Sequence, residues 1–227
     1  MFIGHYALGL AAKRAAPRTS LGTLFVAATL ADLLWPIFLL FGWEHSHVVP
    51  GPNSFLTLWL DDIPYSHSLI TLIIWGALFG FLYWRRHSRR RGDLRAAVVI
   101  GLLVVSHWVL DFITHRPDMP IYPGGPVVGL GLWNSPAGTI VVEALMLLLG
   151  VGMYNAVTRA RDGIGLWGFW SLIALLLISY TSSLFAPAPT NQTALAIGGI
   201  IFGWVFVLFG WWVDRHREAM PARIPTL

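Results

Sequence analysis

The sequence contains no cysteine and few charged residues. Of its 227 residues, none is Cys and only 11% are Asp, Glu, Lys or Arg. The missing cysteine excludes disulfide bonds and thiolate metal sites, so any bound metal must rely on His, Asp or Glu. The small charged fraction, together with 56% hydrophobic residues and a mean hydropathy of +0.66, excludes an ordinary soluble domain. The composition indicates an integral membrane protein.

Long hydrophobic runs take the place of the missing charges. A helix that crosses the hydrocarbon core of a bilayer needs roughly 18 to 24 apolar residues. Six runs of this kind predict six transmembrane helices, near residues 20–43, 66–84, 94–115, 136–157, 164–186 and 193–213. The apolar stretch from Met1 to Ala12 is too short to cross and lacks the features of a signal peptide, so it predicts a half-helix that dips into the bundle. The expected fold is an all-α, polytopic membrane helix bundle, a single integral membrane domain over residues 1–227.

Basic residues lie almost entirely in alternate connections between the runs. Of the 15 Lys and Arg residues, all but Arg116 would lie on the same side of the membrane. Because Lys and Arg near span ends stay in the cytoplasm, this pattern predicts a multi-pass protein of the inner (plasma) membrane with both termini cytoplasmic. The pI near 9.9 and the arginine cluster between Arg85 and Arg95 are explained by contact with anionic membrane lipid, so no nucleic-acid partner is expected.

Polar residues within the runs are concentrated in residues 1–125. The runs over 136–213 predict three scaffold helices with a single carboxylate, Glu143, which is interpreted as a hydrogen-bond partner of a ligating imidazole, a salt-bridge partner or a protonated core acid. Two long connections, Glu44 to Tyr65 and Arg116 to Ser135, are predicted to face outside. The second is rich in Pro and Gly and cannot continue a helix.

His107, Asp111 and His115 follow one another at intervals of four residues in the third long run. On a helix this spacing places the three side chains on one face. An imidazole and a carboxylate that are buried without partners cost several kcal/mol, so a shared metal ion is the first candidate.

Helix rise suggests that further polar residues reach the same level. At about 1.5 Å per residue, Asp32 and His107 lie roughly 18 and 20 Å from the cytoplasmic ends of their spans. His67 begins the second span at the outer rim of the same region, and His5, on the short first helix, is the least well placed. Other interpretations stay open: Asp32 also suits a proton path, His67 a polar helix start and His5 a packed core histidine.

These residues resemble a known family in their order and spacing. Gly4-His5, Asp32, Ser66-His67-Ser68-Leu69 and the segment Ser106-His107 through Asp111 to Thr114 resemble the YdjM-like family of membrane-bound, predicted metal-dependent hydrolases, over roughly residues 1–125. That family looks like a distant relative of zinc-dependent phospholipase C, whose sites hold clustered zinc ions. The resemblance implies five metal ligands: His5, Asp32, His67, His107 and Asp111.

The chain departs from the family pattern at two places. The family usually has an Asp-x-Asp-His cluster, whereas Asp32 is followed by Leu33, Leu34 and Trp35. A His that the family has five residues before the matched His67 is Asp62 here, which is still able to ligate. The shorter ligand set predicts zinc or a similar divalent metal, as one or two ions.

The function predicted is that of a membrane-embedded metal-dependent hydrolase acting on a phosphoester or ester of a lipid-like substrate from the outer side of the membrane. An ion with an open position lowers the pKa of bound water and polarises a phosphoryl or acyl oxygen. His115 and Asp62 are predicted as general base or as residues that orient the ligands. His45 and His47 are more typical of a solvated loop.

Two other classes of protein stay open. One is a non-enzymatic membrane protein with a structural metal site, which sequence does not distinguish from a catalytic site. The other is a proton-coupled transporter, which would also place acids and histidines in midmembrane. The inner halves of spans two to six are nearly all apolar, and this favours a pocket over a conduit.

Overall fold

The computed structural model describes residues 1–49, 54–87, 93–185 and 191–220. Eight α-helices lie in these ranges: α1 (Ile3–Ala12), α2 (Leu21–Ala28), α3 (Leu30–Leu40), α4 (Leu69–His87), α5 (Asp93–Thr114), α6 (Pro136–Asn155), α7 (Gly163–Phe185) and α8 (Gln192–Arg215). Helices α4 to α8 are each long and apolar enough to cross a membrane, and α2 with α3 passes the same test as a bent pair. The predicted all-α bundle is confirmed, with the short first helix in its predicted place.

The outer surface of the long helices is apolar. Leu102, Leu148 and Trp167, for example, are 64%, 69% and 70% exposed. Exposed apolar surface of this extent is unfavourable in water, whereas a helix in lipid satisfies its own backbone hydrogen bonds. The helices are those of a membrane protein. The identity of the membrane and the side on which the termini lie stay predictions from the distribution of basic residues. Four of those basic residues, Arg89, Arg90, Arg91 and Arg223, lie outside the described residues.

The first predicted span, 20–43, is not one straight helix. Its two parts, α2 and α3, meet at Thr29 and their axes differ by 59°. The Thr29 hydroxyl donates a hydrogen bond to the Phe25 carbonyl at 2.8 Å, which closes the last turn of α2. Pro36 within α3 removes a further helical donor. The bend places Asp32 in the first turn of α3, just beyond the break.

Helix α1 lies inside the bundle and packs against α2, α5, α6 and α7. Its approach to α6 is close, because a Cβ atom at Gly150 would lie 2.5 Å from the Ala7 carbonyl oxygen. The backbone amides of Phe2 and Gly4 donate to Oε2 of Glu143 at 2.9 and 3.0 Å. Glu143 therefore binds the amino end of α1 through free helix amides, where a carboxylate also favours the helix dipole. This contact fixes the depth of α1 in the bundle.

Short antiparallel strands connect the helices. They pair as β1 (His45–Val48) with β2 (Leu58–Asp62), β3 (Met119–Pro120) with β4 (Val127–Val128), and β5 (Thr158–Ala160) with β6 (Arg217–Ala219). The Arg116 guanidinium donates to the carbonyls of Leu56 and Leu58 at 3.1 and 3.2 Å and lies 3.9 Å from the centre of the Trp59 ring. The two long connections thus meet at one end of the bundle.

The opposite end of the bundle is held by a buried ion pair. The Lys13 ammonium donates to Oδ2 and Oδ1 of Asp214 at 2.6 and 2.8 Å, and Tyr154 donates to Oδ1 at 2.8 Å. A buried charge needs such partners to be tolerated. The pair joins the ends of α1 and α8.

Candidate metal centre

The five residues predicted as ligands lie together where α1, α3 and α5 meet the residues preceding α4. Nε2 of His107 is 3.0 Å from Oδ2 of Asp111 and 3.6 Å from Oδ1 of Asp32. Nε2 of His67 is 3.9 Å from the same Asp111 oxygen and 3.6 Å from the same Asp32 oxygen. Nε2 of His5 is 3.1 Å from Oδ1 of Asp111, and its ring stacks on that of His107 at 3.8 Å. His5 is therefore part of the cluster, although the sequence placed it least well.

Four of these five side chains are buried, and the fifth faces a cavity. His5, His67, His107 and Asp111 are at most 3% exposed. The Asp32 side chain is 46% accessible because it lines a cavity of about 150 Å³. A ligand set with one wall open to a cavity is typical of sites that exchange a ligand, whereas structural sites are closed.

The separations between the ligand atoms fit a metal ion. Zinc binds nitrogen and oxygen at about 2.0–2.2 Å in a tetrahedral arrangement, which puts neighbouring ligand atoms about 3.4 Å apart. The four imidazole–carboxylate distances, from Nε2 of His67 and His107 to Oδ1 of Asp32 and Oδ2 of Asp111, are 3.0 to 3.9 Å and bracket this value. Two triads have ligand atoms that all lie within 4.8 Å of one another: His5, His107 and Asp111, and Asp32, His67 and His107. The cluster could hold a metal ion.

The two oxygens of Asp111 face different groups. Oδ2 faces His107 and His67. Oδ1 faces His5 at 3.1 Å and His115 at 4.0 Å, and also accepts a hydrogen bond from the α-amino group of Met1. The carboxylate therefore divides the cluster into an Oδ2 side and an Oδ1 side, and the described contacts place the positively charged amino group on the Oδ1 side.

The helix break orients His107. Nδ1 of His107 is 2.9 Å from the carbonyl oxygen of Ala28, the last residue of α2. Since a carbonyl only accepts, Nδ1 carries the proton and Nε2 keeps its lone pair when the ring is neutral. Nε2 makes no hydrogen bond within the part of the chain that the structure describes, because the nearby Asp111 oxygen is not aligned for one. A buried nitrogen with a free lone pair that faces two carboxylates is the donor that a metal ion requires.

A buried relay that sequence reasoning missed orients His67. Glu44 is fully buried and accepts from the Ser66 hydroxyl at 2.6 Å and from the amides of Tyr65 and Ser66 at 2.8 Å. Because the single hydroxyl proton of Ser66 is directed to Glu44, the Ser66 oxygen accepts from Nδ1–H of His67 at 2.6 Å. Nε2 of His67 is then free to face Asp32. No spacing rule links Glu44 to His67, so the sequence offered no signal for this contact.

His115 lies beside the cluster and lines the same cavity. Its Nδ1–H donates to Oδ1 of Asp118 at 3.1 Å, and its Nε2 lies 4.0 Å from Asp111. The ring is buried and lies 3.9 Å from the Trp133 ring. The interval of four residues predicted from the sequence therefore does bring His115 to the side of Asp111.

Asp62 is not brought to the cluster. It is exposed at the end of β2 and lines a separate cavity with Asp61 and Asp118. The segment is a strand and α4 begins only at Leu69, so a spacing of five residues before His67 does not place the two side chains on one face. His45 and His47 are likewise exposed on β1, where His47 pairs with Asp61 at 2.7 Å. The predicted ligand or base role of Asp62 finds no support in this placement.

The cavity is mainly aromatic and aliphatic away from the cluster. The two long connections and the helices α6 and α7 of the predicted scaffold contribute to it. Its walls include Trp35, Phe55, Leu58, Leu60, Trp133, Tyr180 on α7 and Glu143 on α6. Small-molecule sites typically combine an apolar wall with a few polar groups.

Comparison of the chain with protein-family models, curated proteins and solved structures finds no match. The assignment of the site therefore depends on its geometry, and the resemblance to the YdjM-like family stays a prediction.

The relay to His67 predicts a weaker metal site when it is removed. Ser66→Ala should lower metal affinity by about 10 to 100-fold, because residues that hold a ligating imidazole usually have effects of this size. Competition with a chromophoric chelator measures the affinity. Ser171→Ala, at an exposed position of α7, is the matched control, and equal affinities of the two variants would contradict the role of the relay.

Proposed function

We propose that this chain is a membrane-embedded, metal-dependent hydrolase that cleaves a phosphoester or ester bond in a lipid-like molecule from the outer side of the membrane. One observation supports the proposal most strongly: five acids and imidazoles from four segments form two triads that share His107, and three of the five, Asp32, His67 and Asp111, line an internal cavity. Carboxylates and imidazoles buried in an apolar bundle need a common partner, and a divalent cation supplies one.

The donor set favours zinc or a similar ion. His67, His107, Asp32 and Oδ2 of Asp111 would hold it, since mixed imidazole and carboxylate ligands suit zinc. When bound, such an ion supplies Lewis acidity and lowers the pKa of a water molecule. The Nε2 lone pair of His107 serves one ion only, so a second ion would need the Oδ1 side of Asp111, with His5. One or two ions follow from this arrangement.

His115 has the placement of a general base. Asp118 holds the proton on Nδ1, so Nε2 faces the cavity and is free to accept a proton from the nucleophile and return it to the leaving group. The arrangement of a base oriented by a carboxylate recurs in hydrolytic sites. The nearby Trp133 ring limits the movement of the imidazole.

The cavity suits part of a lipid. Its walls away from the cluster are mainly aromatic and aliphatic, and it reaches Ser183, which is exposed near the end of α7. A substrate with a polar ester group and an apolar chain would therefore find matching surfaces at the two ends of the cavity. Membrane lipid surrounds the protein on the exposed apolar faces of the long helices.

The two other classes are less well supported. A structural site would be closed, whereas Asp32 opens onto the cavity. A transporter needs a polar path to the other end of the bundle. Among the described residues, the fully buried Leu10, Leu24 and Phe25 lie between the cluster and the ion pair of Lys13.

The distribution of basic residues supports a cytoplasmic side opposite the cluster. Lys13 pairs with Asp214 at the end of α8, Thr19 bonds Tyr83 near the end of α4, and Arg161 donates to the Arg215 carbonyl. Among the described residues, the helix ends that carry basic side chains therefore meet at one end of the bundle. The metal cluster lies toward the other end. The positive-inside rule supports a cytoplasmic location for this basic end of the bundle, whereas the buried α-amino group of Met1 lies at the cluster, away from that end.

The absence of cysteine allows this orientation to be tested directly. Tyr122→Cys, exposed in the loop near β3, should react with a membrane-impermeant maleimide on intact cells. Glu218→Cys, exposed on β6, should react only after permeabilisation. The reverse labelling pattern would place the cluster on the cytoplasmic side and overturn the topology.

Metal removal tests the centre itself. The purified protein should contain at least one equivalent of zinc or a similar ion by elemental analysis, and His107→Ala and Asp111→Asn should reduce this content to background. His47→Ala, an exposed histidine outside the cluster, should retain it. A metal-free wild type whose folding and activity are unaffected by chelator and by both substitutions would rule out the metal centre.

Substitution of His115 separates catalysis from metal binding. His115→Asn should lower kcat by about 10² to 10⁴-fold, the usual contribution of a general base, and leave the metal content unchanged. Turnover of a panel of phospholipids, phosphomonoesters and carboxylic esters, with and without chelator, provides the measurement. Chelator-insensitive turnover, or a variant as active as wild type, would contradict this assignment.

A further inference from the structure

A second polar group of side chains lies in the same cavity, apart from the metal ligands. Glu143 on α6 and Tyr180 on α7 are 1% and 5% exposed, and both line the cavity. Among the described residues, neither Oε1 of Glu143 nor the hydroxyl of Tyr180 has a hydrogen-bond partner. A buried polar atom without a partner is unfavourable, so two of them on one cavity wall point to a ligand that satisfies both.

Both groups are held in place by the fold. The other oxygen of Glu143, Oε2, accepts from the amides of Phe2 and Gly4, which fixes the plane of the carboxylate. The Tyr180 ring contacts those of Phe2 and Phe55 at centroid distances of 6.0 and 6.5 Å. A site whose polar groups are oriented before binding loses little entropy when the ligand arrives.

The chemistry of the pair selects a hydroxyl group. A carboxylate oxygen accepts a hydrogen bond, and a phenol both donates and accepts. A ligand hydroxyl could donate to Oε1 of Glu143 and accept from Tyr180, which satisfies both atoms with one group. A phosphate or carboxylate has no proton to donate and is repelled by Glu143. An ammonium satisfies the carboxylate but leaves the tyrosine proton without an acceptor.

We propose that Glu143 and Tyr180 form a subsite for a hydroxyl group of the substrate headgroup, so that the lipid is an ester or phosphoester of a small polyol such as glycerol. A cavity of about 150 Å³ accommodates a headgroup of a few heavy atoms. That the bound lipid is a substrate rests on the proposed hydrolase function, whereas recognition of the hydroxyl group requires no metal ion.

Binding of an uncharged probe tests the subsite independently of turnover. The full-length protein in detergent is titrated at matched mole fractions with 1-decanoylglycerol, which has free hydroxyls, and with methyl decanoate, which has none. Quenching of tryptophan fluorescence reports binding, since Trp35 and Trp133 line the cavity. The glycerol ester should bind more tightly. Tyr180→Phe and Glu143→Gln should each weaken it about tenfold and leave methyl decanoate unchanged.

The variants keep the packing that surrounds the subsite. Tyr180→Phe removes a single oxygen atom, and Glu143→Gln keeps an oxygen that accepts from the amides of Phe2 and Gly4. Tyr122→Phe, at an exposed position outside the cavity, is the control and should bind both probes as the wild type does. If Glu143→Gln fails to fold, the Tyr180→Phe titration decides alone.

Three results would overturn the subsite: equal affinity for the two probes, affinity for the glycerol ester unchanged in Tyr180→Phe, or tighter binding of decylamine that depends on Glu143 and not on Tyr180. The last result would assign the subsite to an ammonium group. Preference for the glycerol ester by a protein that shows no metal-dependent turnover would support the subsite while contradicting the hydrolase. Metal-dependent turnover without a preference for the probe with free hydroxyls would support the hydrolase and contradict the subsite.

Discussion

The carboxylate of Asp111 is the point on which the arrangement of the membrane-embedded half of the protein depends. An ionised acid in an apolar bundle is tolerated only if its oxygens have charged or hydrogen-bonding partners. Here Oδ2 faces His107 and His67, and Oδ1 faces His5 and His115. Partners from α1, from α5 and from the residues just before α4 must therefore be present together. Because all of them contact one carboxylate, they constrain how these helices pack.

The irregular parts of the fold serve this convergence. The break between α2 and α3 leaves the Ala28 carbonyl to orient His107 and carries Asp32 to the cavity wall. The buried Glu44 reaches across its loop to Ser66 and thereby sets the proton position on His67. A continuous helix and a solvated loop would each have been simpler to build, but neither would present an imidazole lone pair to the cluster.

Hydropathy and charge predicted the fold well, because span length and apolar composition are local properties. The bend at Thr29 was not predicted, since it depends on a side chain that caps its own helix within an apolar run. The interval of four residues and the depth along a helix can be read from sequence and brought Asp32, His67, His107 and Asp111 to one region, whereas the full set of five candidate ligands came from the resemblance to a family. To place His5 firmly in the cluster, the position of α1 inside the bundle had to be known. To find the role of Glu44, its contact with Ser66, 22 residues further along the chain, had to be known. Asp62 was proposed only because the related family has a histidine at that position, and the exposed end of β2 places its side chain at a separate cavity.

The interior position of α1 has a consequence for how the protein is assembled. This helix supplies His5, yet it packs against α6 and α7, and Glu143 on α6 binds its amino end. The cluster would therefore lack these supports on a nascent chain that ends just after α5, even though all five candidate ligands have by then been synthesised. Assembly of the cluster would then wait for the insertion of α6 and α7, and the candidate site would form only late in the synthesis of the chain.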